Sequence, residues 1–111
     1  MNVVDSSGWL AYFADDQNAG FFAGAIEDVE SLIVPAITLY EVFKRVASQR
    51  GADPAYVAVS QMRQGRVVDL GSNLAVEAAS LSIAHKLPMA DSIILATAWS
   101  VGAVLWTQDA D

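Results

Sequence analysis

Apolar positions along this chain follow two rhythms. Short β-branched runs alternate with longer stretches whose apolar residues repeat at helical spacing. The first run is Val3-Val4, which leads into Asp5, Ser6 and Ser7. Valine is stiff at χ1 and suits a buried strand. Asp5 then stands where that strand ends, and Ser6 or Ser7 can cap a helix opening at Gly8-Trp9-Leu10. That short helix runs to Phe13 and is broken by Asp15-Asp16-Gln17-Asn18. Residues 19–29 carry Phe21, Phe22, Ala25, Ile26 and Val29 as one helical stripe. Leu32-Ile33-Val34 is a second strand, ended by Pro35. Ile37, Leu39, Tyr40, Val42, Phe43 and Val46 form a long helix, closed by Arg50-Gly51.

Asp53-Pro54 opens the next helix, with proline at the favoured first position. It runs through Val57, Val59 and Met62 to Gly65. Val67-Val68-Asp69-Leu70 is a third strand. Ser72 or Asn73 caps a helix bearing Leu74, Ala75, Ala78, Leu81 and Ile83. It ends near His85-Lys86, cations where the helix dipole favours them; His85 is read as that cation rather than as a catalytic base. Pro88 begins a final helix from Met89 to about Val101, closed by Gly102, and Ala103-Val104-Leu105-Trp106 is a fourth strand. Helices alternating with short apolar strands predict an α/β fold with a parallel sheet covered on both faces. A further short strand is expected beyond residue 111.

Composition narrows the function classes. A length of 111 residues fits one domain over 1–111, and 54% hydrophobic residues supply a sizeable core. The absence of cysteine excludes disulfides and thiolate metal sites. It is compatible with a reducing compartment. The first residues have no basic n-region or signal-peptide h-region, so a cytoplasmic location is expected. A net charge of −7 argues against a general nucleic-acid coat, but not against an enzyme whose acidic pocket is loaded with metal. The uncharged run 92–108 falls short of the roughly 18 apolar residues of a membrane span and contains Thr97, Ser100, Gly102 and Thr107. It reads as a buried helix, a glycine turn and a buried strand, and no membrane partner is expected.

Four acids stand out because apolar sequence surrounds each: Asp5, Glu41, Asp91 and Asp109. Two follow strand ends and two sit in early helical turns, all on one edge of the sheet. Carboxylates converging there repel one another. A divalent cation removes that conflict, and hard oxygen ligands without Cys or His favour Mg²⁺ or Mn²⁺. Each acid has a plainer reading as well. Asp5 can be a helix N-cap, Glu41 can pair with Arg45 four residues on, Asp91 suits any first helical turn, and Asp109 can be a loop acid.

With these residues in place the chain resembles a known family. Val3-Val4-Asp5-Ser6-Ser7-Gly8-Trp9, Tyr40-Glu41-Val42, Leu87-Pro88-Met89-Ala90-Asp91-Ser92-Ile93-Ile94 and Leu105-Trp106-Thr107-Gln108-Asp109 occur in the order found in PIN-domain ribonucleases, specifically the VapC-type toxins of toxin–antitoxin pairs. The Leu-Pro-Met-Ala-Asp stretch is the most specific piece. The resemblance implies a three-layer α/β/α sandwich around a central parallel sheet. It implies that Asp5, Glu41, Asp91 and Asp109 hold Mg²⁺ or Mn²⁺ and cut RNA, with metal-assisted hydrolysis as the mechanism. Asp111 is close enough to substitute for Asp109, and Ser6 or Thr107 is a supporting hydroxyl. Two rival readings are a PIN-like binding module without activity and a phospho-acceptor receiver domain. The receiver reading needs a late lysine where Thr107-Gln108 stand, and further acids beside its phosphorylated aspartate, whereas Asp69 alone ends the third strand.

Lys44, Arg45 and Arg50 follow Glu41 on its helix and either meet RNA phosphates or form a solvated face. Trp9, Tyr12, Phe13, Phe21 and Phe22 read as core or as a partner-binding groove rather than as base-stacking platforms, and they crowd the first two helices with more apolar surface than a small core covers. A homodimer is expected from this, with a groove near those helices for an apolar segment of an antitoxin. The family resemblance adds an antitoxin tail that presents an arginine to the acidic pocket.

Overall fold

The computed structural model describes residues 1–108. Four strands form one sheet: β1 (Asn2–Val4), β2 (Leu32–Pro35), β3 (Arg66–Val68) and β4 (Val104–Trp106). Their order is β3-β2-β1-β4, and every pairing is parallel. The connections hold six helices: α1 (Ser6–Ala14) and α2 (Ala19–Glu27) before β2, α3 (Ala36–Arg50) and α4 (Ala52–Met62) before β3, and α5 (Ser72–His85) and α6 (Met89–Val101) before β4. Parallel strands require such crossovers, because no tight turn can bring the chain back to the same end of the sheet.

Strand residues alternate between two helical layers, as a period of two demands. Val4, Leu32, Val34 and Trp106 face Trp9, Phe22, Val42 and Met62 of α1, α2, α3 and α4. Val3, Ile33 and Leu105 face Ile94 and Ala98 of α6. Helix α5 packs on α6 through Ala78, Ile93 and Ala96. The sheet is thus the middle of three layers, the α/β/α arrangement with a central parallel sheet that the sequence led us to expect. The runs Val3-Val4 and Leu32-Ile33-Val34 are apolar on both sides because both sides are covered.

Several boundaries differ from the sequence reading for local reasons. Helix α1 begins at Ser6, two residues early, because Asp5 itself is the N-cap. Helix α2 stops at Glu27, and Val29–Ser31 form a 3₁₀ turn instead of its last residues. The third strand ends at Val68, so Asp69 and Leu70 lie beyond the sheet. Gly51 takes φ +93°, a region open to glycine, and lets the chain pass directly from α3 into α4, with Pro54 the third residue of α4. The uncharged run divides into α6, Gly102 and β4. No helix among the described residues is long and apolar enough to cross a membrane. The further strand expected beyond residue 111 lies outside the described residues.

The aromatic crowd of the first two helices is mostly core. Trp9 is 1% and Phe22 0% exposed, because both helices lie over the sheet face that carries Val4. Only Phe21 is largely exposed, with its ring 5.3 Å from that of Trp106. The surface patch expected there is correspondingly small.

The tightest contact in this layer is at Gly8. A Cβ there would meet Phe22 Cε1 and Val4 Cγ1 at 2.7 Å, and neither buried side chain has room to retreat. Gly8→Ala should therefore destabilise the protein by about 1–3 kcal/mol, the scale of core overpacking. Gly24, inside α2 with open space around it, provides the contrast. Gly24→Ala should stabilise by about 0.5–1 kcal/mol through helix propensity. Urea denaturation of the two variants checks both signs. A Gly8→Ala variant as stable as the parent would refute the packing argument.

Candidate active site

From β1 the chain adds β2 and β3 on one side, then returns to place β4 on the other side of β1. In an open parallel sheet, such a reversal leaves a crevice outside the carboxyl ends of the two strands concerned. Asp5 directly follows β1 and Thr107 directly follows β4. The register pairs Val4 with Trp106, and the Asp5 N–H donates to the Trp106 carbonyl at 3.1 Å, so both residues leave the sheet at the same level. Helix α6 runs back along the sheet and begins at this same edge, with Asp91 in its first turn.

Asp5, Asp91 and Thr107 line one cleft of about 300 Å³. Leu87, Ile94, Leu95 and Leu105 form its apolar walls. Ile94 and Leu95 follow Asp91 by three and four residues, which places them on the same helix face. Sequence reasoning overlooked these walls, although that spacing was available to it.

Each acid is held differently. Asp5 is buried, and its Oδ1 accepts the Gly8 N–H at 2.8 Å and the Ser7 hydroxyl at 2.9 Å. One carboxylate oxygen thus fastens the start of α1, and the cap fixes the orientation of the whole group. Glu41, in the second turn of α3, is half-buried and does not line the cleft. Its Oε1 accepts the Ser6 hydroxyl at 2.5 Å, so a single hydrogen bond joins it to the neighbour of Asp5. Asp91 is exposed at the start of α6, where the helix dipole favours an acid. Asp109 and Asp111 lie outside the described residues. The structure therefore brings Asp5, Asp91 and Thr107 together and ties Glu41 in through Ser6.

Among the described residues no group of three or more His, Asp or Glu gathers closely enough to hold a metal ion. The donors that do face the cleft are oxygens only, which suits a hard cation such as Mg²⁺ or Mn²⁺ and not a soft one. His85 ends α5 as an exposed residue and does not line the cleft. Away from the site, the Tyr12 hydroxyl donates to Glu27 Oε2 at 3.1 Å. Burial, reinforced by that carboxylate, raises the Tyr12 pKa above its ordinary value, so this phenol stays protonated and is no base.

Comparison with known proteins places this geometry in context. Residues 3–111 match the family model described as PIN domain. No curated protein matches the chain. Among solved structures it is similar to Mycobacterium tuberculosis VapC20, described as a Sarcin-Ricin loop cleaving toxin: the TM-score is 0.83 and the identity 20%, over 100% of this chain and 92% of that one. It is also similar to a toxin–antitoxin complex from Klebsiella pneumoniae, at TM-score 0.79 and 22% identity, over 98% of this chain and 87% of the other. VapBC2 from Rickettsia felis, bound to a DNA fragment from its promoter, gives TM-score 0.76 and 11% identity, over 97% and 87%.

The double use of Asp5 can be separated by substitution. Asparagine caps a helix about as well as aspartate, whereas alanine does not. Asp5→Ala should lower stability by about 1 kcal/mol, and Asp5→Asn by no more than a few tenths. Thermal and urea unfolding of both variants measures this. Equal losses in the two would mean that charge, not capping, is what Asp5 contributes to the fold.

Proposed function

Because this chain belongs to the PIN domain family, we propose that it is a metal-dependent endoribonuclease acting as the toxin of a toxin–antitoxin pair. The observation that carries this reading is the convergence of Asp5, Asp91 and Thr107 on one cleft at the reversal of strand order, with Glu41 joined to it through Ser6. The similarity to a toxin and to a toxin–antitoxin complex supports the biological role.

Asp5 and Asp91 would hold a Mg²⁺ or Mn²⁺ ion, with Glu41 and Asp109 completing the acidic set. When bound, that ion supplies Lewis acidity toward the phosphodiester. The chain's own residues do the rest. The Gly8 and Ser7 donors keep the Asp5 carboxylate in a single orientation, so it need not reorganise when substrate arrives. The Ser6 hydroxyl does the same for Glu41. Leu87, Ile94, Leu95 and Leu105 give the cleft apolar walls, which lower the local dielectric and strengthen charge interactions beside them. Thr107 adds an oxygen to the cleft lining beside the two acids. An acid in the cleft can accept the proton that an attacking water releases. Single-stranded or looped RNA fits this arrangement better than duplex, because unstacked nucleotides can enter a cleft.

The partner surfaces follow from exposed apolar residues. An apolar groove of about 610 Å³ between α3 and α4, lined by Leu39, Phe43, Tyr56 and Val59, would accept an apolar segment of an antitoxin. A basic residue on that segment would be drawn toward the acidic cleft. Val76, Ile83 and Met89, exposed at 71%, 82% and 71% on α5 and α6, would be covered in a homodimer.

Asp5→Asn and Asp91→Asn should each lower Mg²⁺-dependent cleavage of single-stranded RNA by about 100-fold or more, the scale of losing a positioned catalytic group. Circular dichroism should stay unchanged, and EDTA should abolish wild-type cleavage. Cleavage by Asp5→Asn within a few-fold of wild type, in a preparation free of contaminating nuclease, would sink the assignment.

A further inference from the structure

The basic residues are unevenly distributed. Lys44, Arg45, Arg50, Arg63 and Arg66 are five of the six Lys and Arg residues in a chain of net charge −7. The sequence gives Arg45 an obvious partner in Glu41, four residues earlier on α3. The structure leaves that pair unmade: Glu41 turns to Ser6. Among the described residues, neither Arg45 nor Arg50 has an ion pair, a hydrogen bond or a ring contact.

Both arginines line the same groove, of about 400 Å³, between α1 and α3. Ser7, whose hydroxyl is bonded to the Asp5 carboxylate, lines it too, as do Phe13 and Gln108. Gln108 is fixed there by a 2.9 Å bond from Asn18 Nδ2. Asp16 contributes one carboxylate, whose Oδ1 is occupied by the Asn18 N–H. Along α3, Arg45 stands about 6 Å beyond Glu41 and Arg50 about 13 Å beyond it, given the rise per residue. The groove therefore leads away from the acids in steps that a nucleotide strand can follow.

We infer that this groove carries the strand flanking the cut site of a single-stranded RNA, with Arg45 and Arg50 as positioning residues on its phosphates. The inference rests on the nuclease reading and adds the path of the substrate to it. Physical need supports it. An acidic protein with carboxylates at its cleft repels a polyanion, so affinity must come from cations beside the cleft. Arginines with no partner among the described residues can be committed to phosphates without breaking an ion pair there. The half-buried Phe13, stacked on Trp9 with ring centroids 5.7 Å apart, gives the groove an apolar wall beside the arginines.

The test measures binding of a fluorescent single-stranded RNA oligonucleotide in EDTA, where it stays intact, across a series of salt concentrations. Each phosphate contact on a single strand contributes about 0.7 to the slope of log K against log salt. The double variant Arg45→Gln/Arg50→Gln should bind more weakly and lose about 1.4 from that slope. Arg45→Lys should keep the slope, and Arg66→Gln, outside the groove, should match wild type in slope and affinity. Cleavage of the same RNA with Mg²⁺ is assayed in parallel. If wild type cleaves RNA but the double variant keeps the full slope, the groove assignment is wrong and the nuclease reading stands. If wild type neither binds nor cleaves RNA, both fall. A polyglutamate peptide that binds through Arg45 and Arg50 more tightly than RNA also overturns the assignment.

Discussion

The junction between β1 and α1 governs the arrangement of the site. Two requirements meet within four residues. The Asp5 carboxylate must accept the Gly8 N–H to start the helix, and Gly8 must have no side chain so that the helix can lie against Val4 and Phe22. Together they set the distance and the angle at which the chain leaves the sheet. Ser6 and Ser7 fall between these fixed points, so their hydroxyls reach Glu41 and Asp5 with no choice of direction. A local capping motif thereby becomes the hub of a polar network that spans two helices and a strand.

The second constraint is topological. The site exists because β4 returns to the opposite side of β1 from β2. Asp91 belongs to it because α6 runs against the strands and starts at their carboxyl edge. Fold and candidate chemistry are thus linked through direction: residues 86 positions apart in sequence meet because both lie at one end of a parallel sheet.

Much of this was legible in the sequence, and the reasons are specific. Val3-Val4 and Leu32-Ile33-Val34 announce buried strands because no polar residue interrupts them, and Gly102 marks the end of α6 where the chain takes φ +66°. Asp5 and Asp91 drew attention because apolar neighbours surround each in sequence, although Leu87, Ile94, Leu95 and Leu105, which wall the cleft, are other residues. What failed to show was anything dependent on a choice between competing partners. Sequence spacing offers Glu41 the neighbouring Arg45, and only the approach of α1 gives it Ser6 instead. Asp5 was read as a ligand or as a cap, when a carboxylate has two oxygens and one suffices for the cap. For the aromatic residues of α1 and α2 the sequence left core and partner-binding groove both open, because counting them does not reveal that two helices share one sheet face.

The two helical layers are chemically unequal, and this has a dynamic consequence. One layer anchors Trp9, Phe22, Val42 and Met62 beneath it, whereas α5 fully buries only Ala78, with Leu74 and Leu81 partly buried beside it. Small contacts of this kind carry little of the free energy that holds a helix in place. In the lone chain, α5 is the segment whose amide protons should be first to exchange with solvent, well before those of β1 or β2. The same helix shields Ile93 and Ala96 of α6, on which Asp91 is mounted. A second molecule resting on α5 would slow that exchange and steady Asp91 from behind, coupling assembly to the firmness of the site without touching it.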